Sequence, residues 1–389
     1  MIEAGSDAER HAHTGIGGVT RDRLALGTFA IAVIAGGVAL FVGLGNYYWF
    51  RNDDWLIFTE RSLTEPGSWF ESHNGHLIAL PVVVVRTLFE IFGLDYTPYF
   101  LTVLCAHLLV VCLVRWVMRR AGVGPWIATA GAAPLILFGA GAENIIWSFQ
   151  IAFVLPLAFG MAQGMLADHE GPLQRRDRLG LLFGAAAILC SAVGLVMVAA
   201  AGVTAMLRRG WRAALFHVAP LFAVYLLWSQ LVASDGAVYI EASRIGRWVL
   251  NGELATFDGI AQSRTVALLI AAVIAAGLVA KVRADGFDAL RREAALPIAM
   301  LVASPALFTL VALGRGRAIL DTIIQSQRFV YVGAALTLPA IAVAVQALAS
   351  VRRELALLIA LPLFGVPGNV AEFNSNASSI GTTSRARRT

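Results

Sequence analysis

Two adjacent carboxylates, Asp53 and Asp54, lie in the longest polar and aromatic passage of the chain, residues 46–76. They follow the first apolar run by a few residues, and Trp49 and Trp55 flank them. Aromatic neighbours at a membrane surface partly desolvate a carboxylate, which raises its pKa and makes it a useful proton acceptor. We therefore predict that Asp53 and Asp54 are catalytic and that one is a general base, although an ordinary solvated loop would also carry such a pair.

A second polar cluster in the same passage contains Glu71, His73, Asn74 and His76. The spacing of the histidines permits joint metal ligation, but two ligands without a third are a weak metal signal. The cluster could equally orient a sugar or form hydrogen bonds with the carboxylates. We predict substrate binding for these residues and assign no metal site. A divalent cation is left open as a cofactor, and no other cofactor is expected.

Glu143, Asn144, Trp147 and Gln150 stand at a short turn between two apolar runs. A helix N-terminus offers amide groups, and a Gln side chain adds a donor and an acceptor, so this corner suits sugar hydroxyls or a phosphate. Simple helix capping would explain the same residues. We predict that these residues also bind substrate.

Three arginines, Arg315, Arg317 and Arg328, lie in a loop that the alternation of the spans places outside, where few cations are expected. External cations near a bilayer need an anionic partner, and a lipid phosphate matches the charge and geometry of a guanidinium. We predict a lipid-phosphate site at these arginines. General anchoring to lipid headgroups would also account for them.

The composition indicates the kind of scaffold that holds these residues. The chain has 389 residues, of which 58% are hydrophobic and 14% charged, and its mean hydropathy is +0.73. One soluble core cannot bury that much apolar surface, so the chain belongs in a bilayer. The net charge of +5 comes from arginines clustered between apolar runs, as in cytoplasmic loops, and does not indicate nucleic acid as a partner.

The apolar runs predict an all-α polytopic membrane protein with about eleven transmembrane helices. Arginines just before the first run place the N-terminus in the cytoplasm. Residues 179–207 are too many for one ordinary span and are predicted to form two short helices that meet near SAVG, 191–194. Residues 77–92 are expected at the outer interface, which makes the first external loop helical. The expected organisation is a cytoplasmic tail (1–23), a transmembrane domain (24–367) with external loops at 45–96, 234–263 and 314–329, and a flexible C-terminal tail (368–389).

The order of these motifs resembles that of the GT-C class of membrane glycosyltransferases, which use polyprenyl-phosphate sugars as donors. The resemblance covers most of the chain and depends on Asp53-Asp54, HNGHLIALP (73–81), ENIIWSFQ (143–150), SAVGL (191–195) and QSQRFVYV (325–332). It implies a GT-C-like helical bundle in a bacterial inner membrane, among membrane lipids, with its active site on the outer face.

The resemblance also implies a reaction. A sugar passes with inversion from the polyprenyl phosphate to a cell-envelope glycan, lipid or protein. Asp53 or Asp54 takes the proton of the acceptor hydroxyl, and Arg328, with Arg315 or Arg317, stabilises the departing lipid phosphate. Members of the class place the base first in their acidic pair, which favours Asp53.

Two other classes of membrane protein remain open at this point. A transporter or flippase of lipid-linked saccharide would use buried polar residues and broken helices along its path. A polysaccharide polymerase or ligase would use the same external arginines with a different catalytic loop. Against transport, the charged residues concentrate in loops, and no internal repeat is visible. The acidic pair after the first span is expected only for the glycosyltransferase.

Overall fold

Helices make up 86% of the structure, and no strand occurs in the part of the chain described. The computed structural model describes residues 4–44, 48–232, 242–314 and 326–375. The predicted all-α class is confirmed. The helices are α1 (Ala4–Leu44), α2 (Asn52–Glu60), α3 (Pro66–Trp69), α4 (Ala79–Phe92), α5 (Tyr96–Arg120), α6 (Pro125–Ile136), α7 (Glu143–Ile146), α8 (Ile151–Ala167), α9 (Arg175–Ile188), α10 (Val193–Arg209), α11 (Trp211–Val232), α12 (Ala242–Ala261), α13 (Arg264–Glu293), α14 (Ala295–Gly314), α15 (Gln327–Val351) and α16 (Ala360–Phe364), with short 3₁₀ helices at Gly139–Gly141, Ser148–Gln150 and Arg353–Ile359.

Eight helical segments of the described residues are long and apolar enough to cross a membrane. The chain is a polytopic helical membrane protein. Helix α15 packs most deeply, since 78% of its most apolar stretch is buried, against 17% in α11 and in Arg353–Ser375. Helix α15 is therefore central in the bundle, and the other two segments are peripheral. The sequence predicted about eleven crossings. Within the described residues, any crossing beyond these eight would need a shorter helix, such as α6 with 12 residues.

The long helices connect two polar ends of the molecule. At one end, which we term the loop end, residues 48–78 contact the corner 138–150. At the other, which we term the basic end, the end of α10 contacts the last turn of α13 and the chain after α8. Helix α5 runs from the loop end, where the Asp95 carboxylate caps it by accepting from Thr97 N–H at 3.0 Å, to arginines at the basic end.

Helices α9 and α10 form the broken hairpin that the sequence predicts. Residues 189–192 join them, and Gly194 allows their close approach, because a Cβ there would lie 2.1 Å from the Ala187 carbonyl oxygen. Asp177, fully buried at the foot of the hairpin, accepts hydrogen bonds from Arg209 (2.6 Å) and His217 (3.0 Å). The hairpin therefore extends from an ionic cluster at the basic end toward the loop end.

Several segments predicted as tails or loops are helical. Helix α1 begins at Ala4, within the expected tail, and α12 occupies most of the expected loop 234–263. Residues 366–375 are helical, and the buried Asn369 accepts from Ala140 N–H at 2.9 Å and donates to the Gly259 carbonyl at 3.0 Å. The packed structure thus continues past residue 368, where the flexible tail was expected, because Asn369 finds partners on two other elements.

Candidate active site

Asp54 is the buried member of the acidic pair. It lies in the first turn of α2 and is fully buried. Its Oδ2 accepts hydrogen bonds from the Arg51 backbone N–H (2.9 Å) and the Trp147 indole N–H (2.8 Å), and its Oδ1 accepts one from the Ser148 hydroxyl (2.6 Å). Burial raises the pKa of Asp54 to about 6 even though these hydrogen bonds favour the charged form. Because both oxygens are engaged, Asp54 is suited to hold α2 against the 147–150 turn.

Asp53 lines a cavity instead. Its side chain is 17% exposed, and its Oδ1 lies 3.0 Å from Nε2 of His73. An ionised carboxylate only accepts hydrogen bonds, so His73 donates through Nε2. Oδ2 of Asp53 accepts no hydrogen bond from the described residues and is available to another group. The two adjacent carboxylates therefore have different surroundings and can do different chemistry.

His73 is held by a tight turn that its own sequence encodes. The backbones of His73 and His76 exchange hydrogen bonds of 3.0 and 2.9 Å, and Asn74 and Gly75 between them have φ of 51° and 79°. Positive φ at both central positions is typical of a type I′ turn, for which Asn-Gly is strongly preferred. The turn places His73, Asn74 and His76 on the cavity wall, with the His73 ring 5.3 Å from that of Phe149.

Glu71, for which a substrate contact was predicted, lies away from the cavity and pairs with another residue. It forms an ion pair with Arg61, whose guanidinium also donates to the carbonyls of Ser68 (2.9 Å) and Ser72 (3.1 Å). Arg61 thereby closes the loop that carries Glu71. The Glu71 side chain is 61% exposed and is not part of the cavity wall. We therefore assign Glu71 a role in holding this loop.

The corner between α6 and α8 lies behind the cavity wall. Asn144 and Gln150 are fully buried, and Trp147 is 4% exposed. None of these three residues lines the Asp53 cavity, so their predicted substrate contact stays a prediction that the geometry of this cavity does not support. The physical reason is the tight succession of short helices at 139–150, which turns these side chains toward the core.

Trp147 connects the acidic pair to Arg328. Its indole N–H donates to Asp54, and the guanidinium carbons of Arg51 and Arg328 lie 5.0 and 5.9 Å from its ring centroid. Cations near an aromatic face are attracted by its quadrupole. One buried ring thus fixes both a carboxylate and a cation.

Arg328 is held in place and remains reachable. Its Nε lies 3.7 Å from a carboxylate oxygen of Glu143, its guanidinium carbon lies 5.9 Å from the Phe153 ring centroid, and its side chain is 28% exposed. Glu143 thus pairs with Arg328, whereas the sequence predicted a substrate contact for it. Arg315 and Arg317, the other predicted lipid-phosphate residues, lie outside the described residues.

Asp53 and Arg328 line the same cavity. The volume of this cavity, counting its open mouth, is about 730 Å³. The tip of the α9–α10 hairpin and one face of α14 form much of the remaining wall, which is mainly apolar. Besides Asp53, Arg328 and the 73–76 turn, the lining residues are Ile78, Phe149, Ala152, Phe153, Ser191, Ala192, Val193, Leu307, Leu310, Val311 and Phe329.

The sequence reasoning missed two residues that surround Asp54. Ser148 lies inside the ENIIWSFQ motif, and Arg51 precedes Asp54 by three residues, the spacing at which a helix-capping carboxylate accepts a backbone N–H. That spacing was a usable signal for Arg51. The role of Ser148 depends on a tertiary contact that no local pattern indicates.

No group of three or more His, Cys, Asp or Glu side chains that could hold a metal ion occurs in the described part of the chain. Comparison of the sequence with protein-family models and with curated proteins, and of the structure with solved structures, found no match. Function is therefore inferred from the geometry of the site itself.

Proposed function

We propose that this protein is a membrane glycosyltransferase that moves a sugar from a polyprenyl-phosphate donor to a glycan, lipid or protein of the cell envelope. One observation carries the proposal: Asp53, oriented by His73, and Arg328 line one cavity whose remaining walls are mainly apolar. A carboxylate can activate a hydroxyl, a guanidinium can hold a phosphate, and an apolar wall can accept an isoprenoid chain.

Asp53 acts as the general base. Its Oδ2 takes the proton of the acceptor hydroxyl while the hydroxyl oxygen forms a bond to the anomeric carbon. The bond between that carbon and the phosphate oxygen breaks, and its electron pair leaves with the polyprenyl phosphate. Attack opposite the phosphate inverts the anomeric centre. His73 holds Oδ1 at 3.0 Å and so keeps Oδ2 directed at the acceptor.

Arg328 stabilises the leaving group. Negative charge gathers on the phosphate as the bond breaks, so a cation held there favours the transition state over the ground state. Glu143 and the aromatic rings of Trp147 and Phe153 hold the guanidinium before substrate binds. The neighbouring apolar faces of α14 and α15 offer a surface for the lipid chain.

Asp54 is a positioning residue in this proposal. It does not touch substrate, because its three hydrogen bonds to Arg51, Trp147 and Ser148 engage both oxygens. Its task is to join α2, which carries Asp53, to the corner that supports Arg328. Replacing it should therefore affect stability as well as rate.

The test is sugar transfer by purified protein in lipid vesicles from a panel of radiolabelled polyprenyl-phosphate sugars. Asp53→Asn should lower the rate by about 10²–10⁴-fold, the usual contribution of a general base, with the melting temperature little changed. Arg328→Gln should also lower the rate. Glu60→Gln, which changes an exposed carboxylate on the same helix, is the matched control and should transfer normally.

A wild-type rate in Asp53→Asn would overturn the assignment of the base. If the wild type transfers no sugar from any donor but moves a lipid-linked saccharide across the vesicle membrane, the protein is a transporter. Measuring both transfer and movement in the same vesicles separates these results.

A further inference from the structure

A groove runs between α1 and α5 near the basic end and shares no residue with the Asp53 cavity. Its volume, counting the open side, is about 980 Å³. Helix α1 contributes apolar side chains, among them Leu26, Phe29 and Ile34, whereas α5 contributes Arg115 and Arg119. Both helices are long and apolar enough to cross the membrane. The groove therefore joins an apolar wall to a pair of cations.

Arg115 is the unusual residue of this groove, because a guanidinium inside a membrane-spanning helix is costly without an anion. Arg115 is only 8% exposed. Its Nε donates to the Thr129 hydroxyl at 3.1 Å, and its guanidinium carbon lies 5.0 Å from the Phe29 ring centroid. No carboxylate pairs with Arg115 among the side chains that the structure describes. The guanidinium is thus held in position by Thr129 and Phe29 without a direct ion pair among the described residues.

The rim of the groove carries one carboxylate, Asp22, which acts on the charge of Arg115 from a distance but forms its ion pair with Arg119. Asp22 pairs with Arg119 at 3.1 Å, and Arg119 also donates to the Val123 carbonyl at 2.6 Å. Two further arginines, Arg21 and Arg23, flank Asp22 and are exposed. The described rim therefore carries an excess of positive charge.

We infer that this groove binds an acidic phospholipid. The phosphate of the lipid accepts hydrogen bonds from the free face of Arg115 and from the Arg119 side, and an acyl chain lies along α1, where Leu26 and Ile34 are 54% and 65% exposed. A free anion would leave the apolar wall uncovered, and a zwitterionic lipid would bring its own cation to the arginines. The ligand that fits both surfaces is an anionic amphiphile.

The test is native mass spectrometry of the purified full chain in detergent with equal amounts of phosphatidylglycerol and phosphatidylcholine of the same chains. The wild type should retain phosphatidylglycerol over phosphatidylcholine by about tenfold, the ratio that one charge-assisted hydrogen bond supports. Arg115→Gln should reduce that preference severalfold. Ala30→Trp, which fills the groove without changing a charge, should reduce it equally and covers the case in which Arg115→Gln fails to fold.

Arg120→Gln is the matched control, because Arg120 is exposed on the same helix and donates to the Asp168 carbonyl outside the groove. It should keep the wild-type preference. The proposal would be overturned if the wild type retained the two lipids equally, or if all variants kept the same preference. It would also be overturned if the protein formed a dimer without bound lipid, because a second copy would then cover the groove. None of these readings depends on sugar transfer, so the proposal stands or falls separately from the proposed enzyme activity.

Discussion

Neighbouring residues on a helix project about 100° apart, and in the first turn of α2 this separates two identical side chains. Asp54 faces the core and meets three donors, whereas Asp53 faces the cavity and meets His73. The two carboxylates are chemically identical, and only their surroundings suit them to different roles. A carboxylate whose two oxygens both accept hydrogen bonds from other elements can hold those elements together, and one with an oxygen facing a cavity can take a proton.

The pKa of Asp54 predicts a pH dependence of stability. Burial raises this pKa to about 6 from an ordinary value of about 4. Between about pH 4 and pH 6, the folded state therefore keeps a proton on Asp54 that the unfolded chain releases. The stabilisation of the fold by this proton is fully present below about pH 4 and is lost as the pH rises through about 6. We expect the wild type to lose up to about 3 kcal/mol of stability relative to Asp54→Asn over this range.

Melting temperatures of both proteins in detergent from pH 4 to pH 7.5 provide the measurement. Because Asn does not titrate, the difference between the two curves isolates Asp54 from all other groups. Parallel curves for the wild type and Asp54→Asn would show that Asp54 is not the titrating group.

Trp147 is expected to affect catalysis without binding substrate. Trp147→Phe keeps an aromatic ring near Arg51 and Arg328 but removes the indole N–H that donates to Asp54 at 2.8 Å. We predict a kcat about tenfold lower, the effect of one lost hydrogen bond to a charged group, with KM nearly unchanged. Steady-state kinetics of sugar transfer measure both constants, with Trp126→Phe, an exposed residue, as the control. A rise in KM alone would instead indicate that Trp147 contacts the substrate.

The sequence indicated several of the residues that line the cavity, but it did not indicate which role each polar residue has. The polar types and spacing of Asp53, His73 and Arg328 were enough to single them out, and all three line the cavity. The same reasoning assigned substrate contact to Glu71 and Gln150. It could not foresee that Glu71 would pair with Arg61 or that Gln150 would be buried. Both outcomes are decided by how distant parts of the chain pack together.

At the scale of elements, the α9–α10 hairpin links the two ends of the molecule. Its tip, residues 191–193, lines the Asp53 cavity, while Asp177 anchors its foot. Burial acts to raise the pKa of Asp177, but hydrogen bonds from Arg209, the Gln174 backbone and His217 outweigh it and lower that pKa. The carboxylate is therefore charged at neutral pH, and the hairpin is pinned by a buried ionic cluster.

Asp177→Asn is predicted to weaken this anchor strongly. The change leaves Arg209 and the two histidines, His169 and His217, without their shared anion. Removing one partner of a buried ion pair usually costs about 3–5 kcal/mol. We expect a clear fall in melting temperature, measured in detergent at pH 7, and a parallel fall in sugar transfer because the hairpin tip forms the cavity wall.

Asp288→Asn, which changes an exposed carboxylate paired with Arg291, is the control and should have little effect on melting. An unchanged melting temperature in Asp177→Asn would mean that the cluster does not anchor the hairpin.

The break between α9 and α10 was predictable because its cause is local: residues 179–207 exceed one span, and small residues allow a sharp turn. The helix at 366–375 was not predictable in this way. Its sequence is short and partly polar, and Asn369 becomes buried only because Ala140 and Gly259 supply partners from distant parts of the chain. The sequence thus predicted the break between α9 and α10, which depends on neighbouring residues, but not the helix at 366–375, which depends on contacts with distant residues.

At the scale of the whole molecule, positive charge is distributed unevenly between the two ends. The arginines that end α5 and α10, and those near the end of α13, lie at the basic end. Cytoplasmic loops carry an excess of Arg and Lys, so we predict that the basic end faces the cytoplasm. The Asp53 cavity at the loop end would then open to the outer side. This orientation is what a donor presented on the outer leaflet requires.

Thiol labelling of intact cells tests that orientation. Single cysteines are introduced by Glu65→Cys at the loop end and Asp288→Cys at the basic end, both exposed positions, after the three native cysteines have been replaced by alanine. A membrane-impermeant maleimide should label the Glu65→Cys protein in intact cells and the Asp288→Cys protein only after lysis, because the reagent reaches only the outer side until then. The reverse pattern would place the cavity on the cytoplasmic side, and sugar transfer would then need a donor whose sugar faces the cytoplasm.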